Sequence, residues 1–145
     1  MKIIRIVLVL LLVAVAAGFI AYKFINKSAP DLSDSTPEKV FTWTELIDQS
    51  SDTASLYQFK DKLIAVSGNV KKIAKDLNKI TLELGDSNNV SSIICQVDDR
   101  HVADFANVKE NSTVAIKGLL RSAEVDDSGL GLGNTVQLNY CVKSK

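Results

Sequence analysis

The one histidine of the chain, His101, stands among Asp98, Asp99 and Asp104, a grouping that could move protons or hold a hard cation. With a single imidazole, any histidine-based catalytic, metal or haem role falls on this side chain alone. The plainer reading is a solvated first helical turn, where carboxylates meet the positive end of the helix dipole. A second polar concentration is Asp126-Asp-Ser-Gly-Leu-Gly-Leu-Gly-Asn134. A phosphate-binding loop has a strand before it and a helix after it; here a strand follows, the glycine spacing is wrong, and no lysine is placed to neutralise phosphate. A calcium loop alternates its ligands, whereas these acids cluster at one end. The stretch reads as a flexible loop between two strands. Serines are plentiful, but none sits at a strand–elbow–helix turn beside a base that could activate it. These residues point away from an enzyme, a cofactor or a metal, and toward binding.

Lys71, Lys72, Lys75 and Lys79 crowd one strand connection, opposed only by Asp76. They could meet phosphates or anionic lipid headgroups; the rival reading is a solvated hairpin tip. Cys95 and Cys141 could form a disulfide, provided their side chains share a face. Their phase argues against it. Cys95 keeps step with Ile93 and Val97, whereas Cys141 is out of step with Val136, Leu138 and Tyr140, a mismatch that a bulge before Cys141 would repair.

The elements that position these residues follow from periodicity. From Leu63 onward apolar residues recur every second position, in five sets: Ile64–Val70, Ile80–Leu84, Ile93–Val97, Val114–Leu120 and Val136–Tyr140. Five short strands bury their apolar faces together only by curling into a barrel. Gly68 and Gly118 fall inside strands, where a missing side chain permits sharp coiling. Val102, Phe105 and Val108 recur every three residues and predict a short helix between the third and fourth strands. This order predicts a mainly β, five-stranded OB-fold barrel. Before it, Ser35/Glu38 and Thr42/Glu45 both have capping-box spacing, so a helical lead-in starts at one or the other, and Ser50-Ser51-Asp52 could split it in two.

The run Tyr57-Gln-Phe-Lys-Asp-Lys62, with Val66-x-Gly68-x-Val70, Leu82-x-Leu84, Cys95-x-Val97, Val114-x-Ile116-Lys-Gly118 and Val136-x-Leu138-x-x-Cys141, resembles the tRNA-anti-like family of OB-fold proteins, many of them secreted or membrane-anchored. The resemblance spans roughly Leu46 to Val142. It implies the fold and no particular activity, because the family's name records a likeness to anticodon-binding domains. The chain departs from the family at Leu119-Leu-Arg-Ser122, where relatives often carry another cysteine, and it lacks a lipoprotein cysteine. The membrane-anchored OB-fold haem chaperones have a similar layout but use a histidine and a tyrosine near the barrel's end; Leu138-Asn-Tyr-Cys-Val142 has no histidine, which excludes that resemblance.

Charge divides the chain. Before Ser28 stand four basic residues and no acidic one; the other 13 of 17 basic residues then face all 17 acidic ones, a net of −4. Ile6–Tyr22 carries no charge, and with Ile3 and Ile4 the apolar stretch reaches about 20 residues, roughly 30 Å as a helix. It reads as an uncleaved transmembrane anchor over 1–25, although Ala14-Val15-Ala16 offers the alternative of a cleaved signal. Residues 26–37, polar with two prolines, read as a flexible tether, and 38–145 as the OB domain. Lys2 and Arg5 on one side and Lys23 and Lys27 on the other leave only a slight positive-inside bias. The expectation of a globular part outside the cytoplasm rests on the short tail, which stays inside when a globular domain follows. An OB domain takes single strands on aromatic platforms across its second and third strands. The outward set there is Thr81, Glu83, Ser92, Ile94 and Gln96, with no aromatic and with a carboxylate. The sequence thus favours a protein, peptide or envelope-polymer partner on that face. Single-stranded nucleic acid held by the Lys71–Lys79 loop is the alternative, and a structural module of a membrane assembly a third.

Overall fold

The computed structural model describes residues 2–25, 29–77 and 79–144, with side chains omitted for 1–10, 24–28, 53, 78 and 145. Two compact units divide at Pro30 and Asp31. The first contains helix α1, Lys2–Ile25, whose side chains from Leu11 to Lys23 are all exposed. That described stretch is shorter than a bilayer span, and among the described residues no helix is long and apolar enough to cross a membrane. The anchor expected over 1–25 therefore lies partly outside the described residues, as does the tether at 26–28.

The second unit is a closed five-stranded barrel. Its strands are β2 (Leu63–Asp76), β3 (Lys79–Leu84), β4 (Ser92–Val97), β5 (Thr113–Glu124) and β6 (Thr135–Lys143). They close in the order β2-β3-β4-β6-β5-β2, with β4 and β6 parallel and every other barrel pair antiparallel. This is the OB arrangement read from the alternation. Strand β2 is long because it serves two sides: its first half pairs with β5, and past a bulge at Val70–Lys72 its second half pairs with β3.

Three local features have clear causes, the first and third of them departures from the sequence reading. First, a sixth strand, β1 (Lys39–Thr42), runs parallel to the first half of β2, where a helix was one of two options. The Ser35/Glu38 pair caps nothing, because the Glu38 N–H donates to Leu63 O and continues the sheet. The second capping box is the real one: Thr42 Oγ1 accepts the Glu45 N–H at 3.3 Å, and the Glu45 carboxylate accepts the Thr42 N–H at 2.8 Å. Helix α2 (Trp43–Ser50) starts there, and α3 (Thr53–Tyr57) follows after the expected break, with Asp52 as its cap.

Second, the helix between β4 and β5 is a 3-10 helix, Asp99–Phe105, as the spacing of three requires, with three residues per turn stacking Val102 over Phe105. Phe105 is buried in the barrel core. Third, β6 bulges between Leu138 and Cys141, which pair with Cys95 and Val97 of β4. Tyr140 takes φ 54° there. The extra residue reverses the phase, so Cys141 turns into the core and Tyr140 turns out, 41% exposed; the inward placement of Tyr140 is corrected.

The core joins inward residues of every barrel strand to Phe41 of β1, Leu46 and Leu56 of the helices, and Phe105. Gly68 sits under Trp43, whose Cβ lies 2.9 Å from where a glycine Cβ would stand. Close approach of the lead-in, rather than strand coiling alone, demands glycine at this position.

Candidate functional site

Two rows of side chains cross the outer face of the barrel. The first follows the register Lys72–Glu83–Ile94–Gln137–Ser122 over β2, β3, β4, β6 and β5. The second runs Ala74–Thr81–Gln96, and beyond Gln96 stands the β6 bulge with Asn139 and Tyr140. Thr81, Glu83, Ile94 and Gln96 of the expected set share this face, with Gln96 exposed and the others half-buried. Ser92 does not join them. It is buried, and its N–H donates to Asn134 O where β6 begins, so on β4 the face starts at Ile94, two residues later than the alternation implies.

The four lysines do not form one patch. Lys71, at the β2 bulge, pairs with Glu83 at 3.3 Å and donates to Asn89 O at 2.9 Å. Lys72 lies opposite Glu83 in register, Lys79 opposite Asp76, and Lys75 opposite Ile80, in the alternate phase of the hairpin from Lys72. Alternation along a strand is what separates them. Cys95 and Cys141 are free thiols, both buried. Burial first, and the adjacent Cys141 thiol second, push the Cys95 thiol well above its ordinary pKa.

A second cluster lies where residues 31–37, read as tether, meet the barrel. Leu32 is buried against Leu63, Val142 and Leu119. The Lys117 side chain, 6% exposed, donates to Ser33 O at 2.7 Å and to Ser35 O at 2.8 Å. His101 faces Asp31 with Nε2 at 3.0 Å and Asp104 with Nδ1 at 3.2 Å. From Asp31 on, the segment is a strap fixed to the barrel. No group of three or more His, Cys, Asp or Glu side chains that could hold a metal ion occurs among the described residues, the Asp31–His101–Asp104 cluster included.

With a carboxylate at each nitrogen, His101 satisfies both only when doubly protonated; a neutral ring turns one lone pair toward an oxygen. Burial lowers the His101 pKa, and the hydrogen bonds and charges of Asp31 and Asp104 outweigh it, leaving a net rise. The Ser33 N–H, the Ser33 side chain and His101 lower Asp31 to about 2. A raised folded-state pKa contributes stability in full below the unfolded histidine value near 6.5 and loses it as pH rises through the folded value. The unfolding midpoint should accordingly drop by a few degrees more in the wild type than in His101→Gln between about pH 5.5 and 8.5. Parallel wild-type and variant melting curves over this range would remove the clamp's ionic character.

Lys117, Asp31 and Tyr140 had not been singled out as site residues. Alternation set Lys117 outward, but no sequence signal told that a strap covers it. A left-handed tyrosine leaves no trace in periodicity.

No curated protein matches the chain. Among solved structures, a lipoprotein of Klebsiella pneumoniae proposed to bind nucleic acid is similar, with a TM-score of 0.55 at 12% identity, over 81% of this chain and 100% of that one. That likeness concerns the fold alone. A protein of Leishmania major assigned as an aspartyl-tRNA synthetase aligns with a TM-score of 0.45 at 12% identity over 80% of this chain, which spans 23% of the synthetase. An OBody bound to hen egg-white lysozyme aligns with a TM-score of 0.43 at 14% identity, over 59% of this chain and 84% of that one. The tRNA_anti-like family model matches residues 1–129, and together with the barrel order this shows that the chain belongs to the tRNA_anti-like family of OB-fold binding modules.

Proposed function

We propose that the protein is a membrane-anchored, non-enzymatic binding module whose barrel lies outside the cytoplasm and whose outer β3–β4 face takes a protein, peptide or envelope-polymer partner. The observation that carries this reading is the composition of that face. Thr81, Glu83, Ile94 and Gln96 offer no aromatic platform on β3 and β4, and the Glu83 carboxylate is engaged by Lys71. Base stacking, worth roughly 1–3 kcal/mol per base where such a platform exists, has little to build on. The anchor rests on the uncharged run Ile6–Tyr22 and on the exposed apolar side chains of α1, such as Leu12 at 66% and Phe19 at 63%.

The alternative, a nucleic-acid module, draws on the exposed Lys72, Lys75 and Lys79 and on the function proposed for the Klebsiella lipoprotein. Titration of the full chain in phosphatidylcholine nanodiscs with labelled single-stranded oligonucleotides at physiological salt separates the two. Weak binding that moderate salt abolishes is expected, since a few lysine–phosphate contacts release readily. Sub-micromolar binding that survives salt and disappears when Lys71, Lys72, Lys75 and Lys79 become alanine would establish the alternative. The anchor has its own test: alkaline extraction should leave the full chain with membranes and release a chain lacking residues 1–27 as a folded soluble domain.

A further inference from the structure

We propose that the cleft between α3 and the end of β5 is a second binding site, which takes the C-terminal residue of a peptide chain ending in leucine or phenylalanine with a free carboxylate. It is independent of the outer-face reading, since none of Thr81, Glu83, Ile94 and Gln96 lines it.

The run Tyr57-Gln-Phe-Lys-Asp-Lys62, which the outer face does not use, builds one wall. Past α3 the chain turns back, with the Phe59 N–H donating to Leu56 O and the Lys60 N–H to Tyr57 O. Asp61 then takes φ 60°, in the left-handed region. Its N–H donates to Leu120 O at 2.8 Å, and the Leu120 N–H donates to Lys62 O at 3.1 Å. These two bonds fasten the turn to β5. Leu63 and Leu119 make the last β2–β5 pair, so beyond it β5 pairs only with β6 and its other edge faces the turn. Between the two lies a cavity of about 180 Å³, with Leu56, Tyr57 and Lys60 on one side and residues 120–123 on the other.

Size limits what can enter. Drug-sized ligands fill pockets of about 300–1,000 Å³. This one is smaller and suits a single side chain. Its walls include Leu56, Leu120 and Ala123, so an aliphatic or phenyl group is the matching occupant.

Charge decides what that group is attached to. Lys60 makes no ion pair among the described residues. Its ammonium rests on Tyr57, 3.3 Å from the phenol oxygen and 4.9 Å from the ring centroid. Arg121 donates to the Asp61 carboxylate through one nitrogen at 3.1 Å, and a guanidinium carries five N–H donors, so others remain for a ligand. Two cations against one carboxylate leave one positive charge in excess at the cavity mouth, in a globular part of net −4. A carboxylate matches that excess and accepts from both cations. The apolar walls disfavour a phosphate, whose water they would strip without replacing it.

An apolar side chain one carbon away from a carboxylate is what a chain terminus presents. The Tyr57 ring, 67% exposed, carries the wall out of the cavity, where the preceding residue of the peptide lies against it. Ser122 supplies a hydroxyl for the amide between the two.

The full chain in phosphatidylcholine nanodiscs is titrated with acetyl-glycyl-glycyl-leucine and acetyl-glycyl-glycyl-phenylalanine, each as free carboxylate and as C-terminal amide. The Ala123 methyl and the Tyr57 ring are followed by NMR. At least one free carboxylate should bind with a Kd of about 1 mM or tighter and shift both signals. Its amide should bind about ten-fold more weakly or worse. Lys60→Ala and Arg121→Ala should each weaken binding several-fold without lowering the unfolding midpoint, because both side chains are exposed. Lys75→Ala, which removes an exposed lysine that does not line the cavity, should change nothing. Absence of binding at about 10 mM peptide, equal binding of carboxylate and amide, or indifference to both substitutions would overturn the assignment. So would 3-phenylpropionate binding as tightly as the phenylalanine peptide, since the cavity would then be one for small acids. None of these outcomes bears on the outer face, which the oligonucleotide titration tests.

Discussion

Phe41→Ala is expected to lower the stability of the barrel unit by about 3–5 kcal/mol. Phe41 is 2% exposed, meets Phe59 edge-on with ring centroids 5.7 Å apart, and packs with Leu46 and Leu56 of the lead-in. The Lys39 ammonium lies 4.6 Å from its ring centroid. Truncation therefore removes apolar burial, an aromatic pair and a cation–π contact together, and leaves a cavity between β1 and the barrel. A domain of this size has about 5–15 kcal/mol in all, so the variant should be close to unfolding at growth temperatures. Val40→Ala is the control. Val40 is on the same strand, 67% exposed, and its loss should stay within about 0.5 kcal/mol. Equal costs for the two in urea unfolding would mean that β1 is not part of the core.

The second large effect is at Gly118. A Cβ there would stand 2.7 Å from Cys141 Sγ, 3.1 Å from Asn139 O and 3.4 Å from Leu138 Cβ. The sulfur is fully buried and a backbone carbonyl is met as well, so Gly118→Ala pushes β5 away from β6 at the bulge. Overpacking of this kind costs about 1–3 kcal/mol, and here the upper end is expected because backbone is also met. Removing the sulfur should relieve much of it. In a Cys141→Ala background the cost of Gly118→Ala should fall by about 1 kcal/mol or more, measured as a double-mutant cycle. Strict additivity would show that the Sγ contact is not the source of the strain.

These two positions show how unevenly the fold could be read. The alternation of apolar residues placed all five barrel strands, since one face of each had to be buried and period two leaves no other way to bury it. Phe41 escaped because four residues are too few to display a period, and β1 exists only through pairing with β2. Gly118 was recognisable as a special strand residue, but its reason was not: the sulfur it accommodates arrives from β6, 23 residues later in the chain.

On the outer face, Thr81, Glu83, Ile94 and Gln96 followed from phase alone. Tyr140 did not, because a single inserted residue reverses every side chain beyond it, and only the parallel register with β4 reveals the insertion. The arrangement of the lysines was also hidden. Adjacent in sequence, they looked like one charged loop, whereas pairing of β2 with β3 sends Lys75 out of phase with Lys72 and ties Lys71 to Glu83.

The sequence by itself determined the quantities that local chemistry controls: the apolar run Ile6–Tyr22, the strand periods and the three-residue spacing of the 3-10 helix. Each depends on residues within a turn or a strand of one another. Tertiary structure alone decided which distant groups meet. It joined Asp31 to His101 across 70 residues, closed Ser33 and Ser35 over Lys117, and turned Tyr140 outward beside Gln96. Those contacts depend on barrel closure, where the gain from burying every strand's apolar face at once overrides the preference of any single residue, the left-handed Tyr140 included.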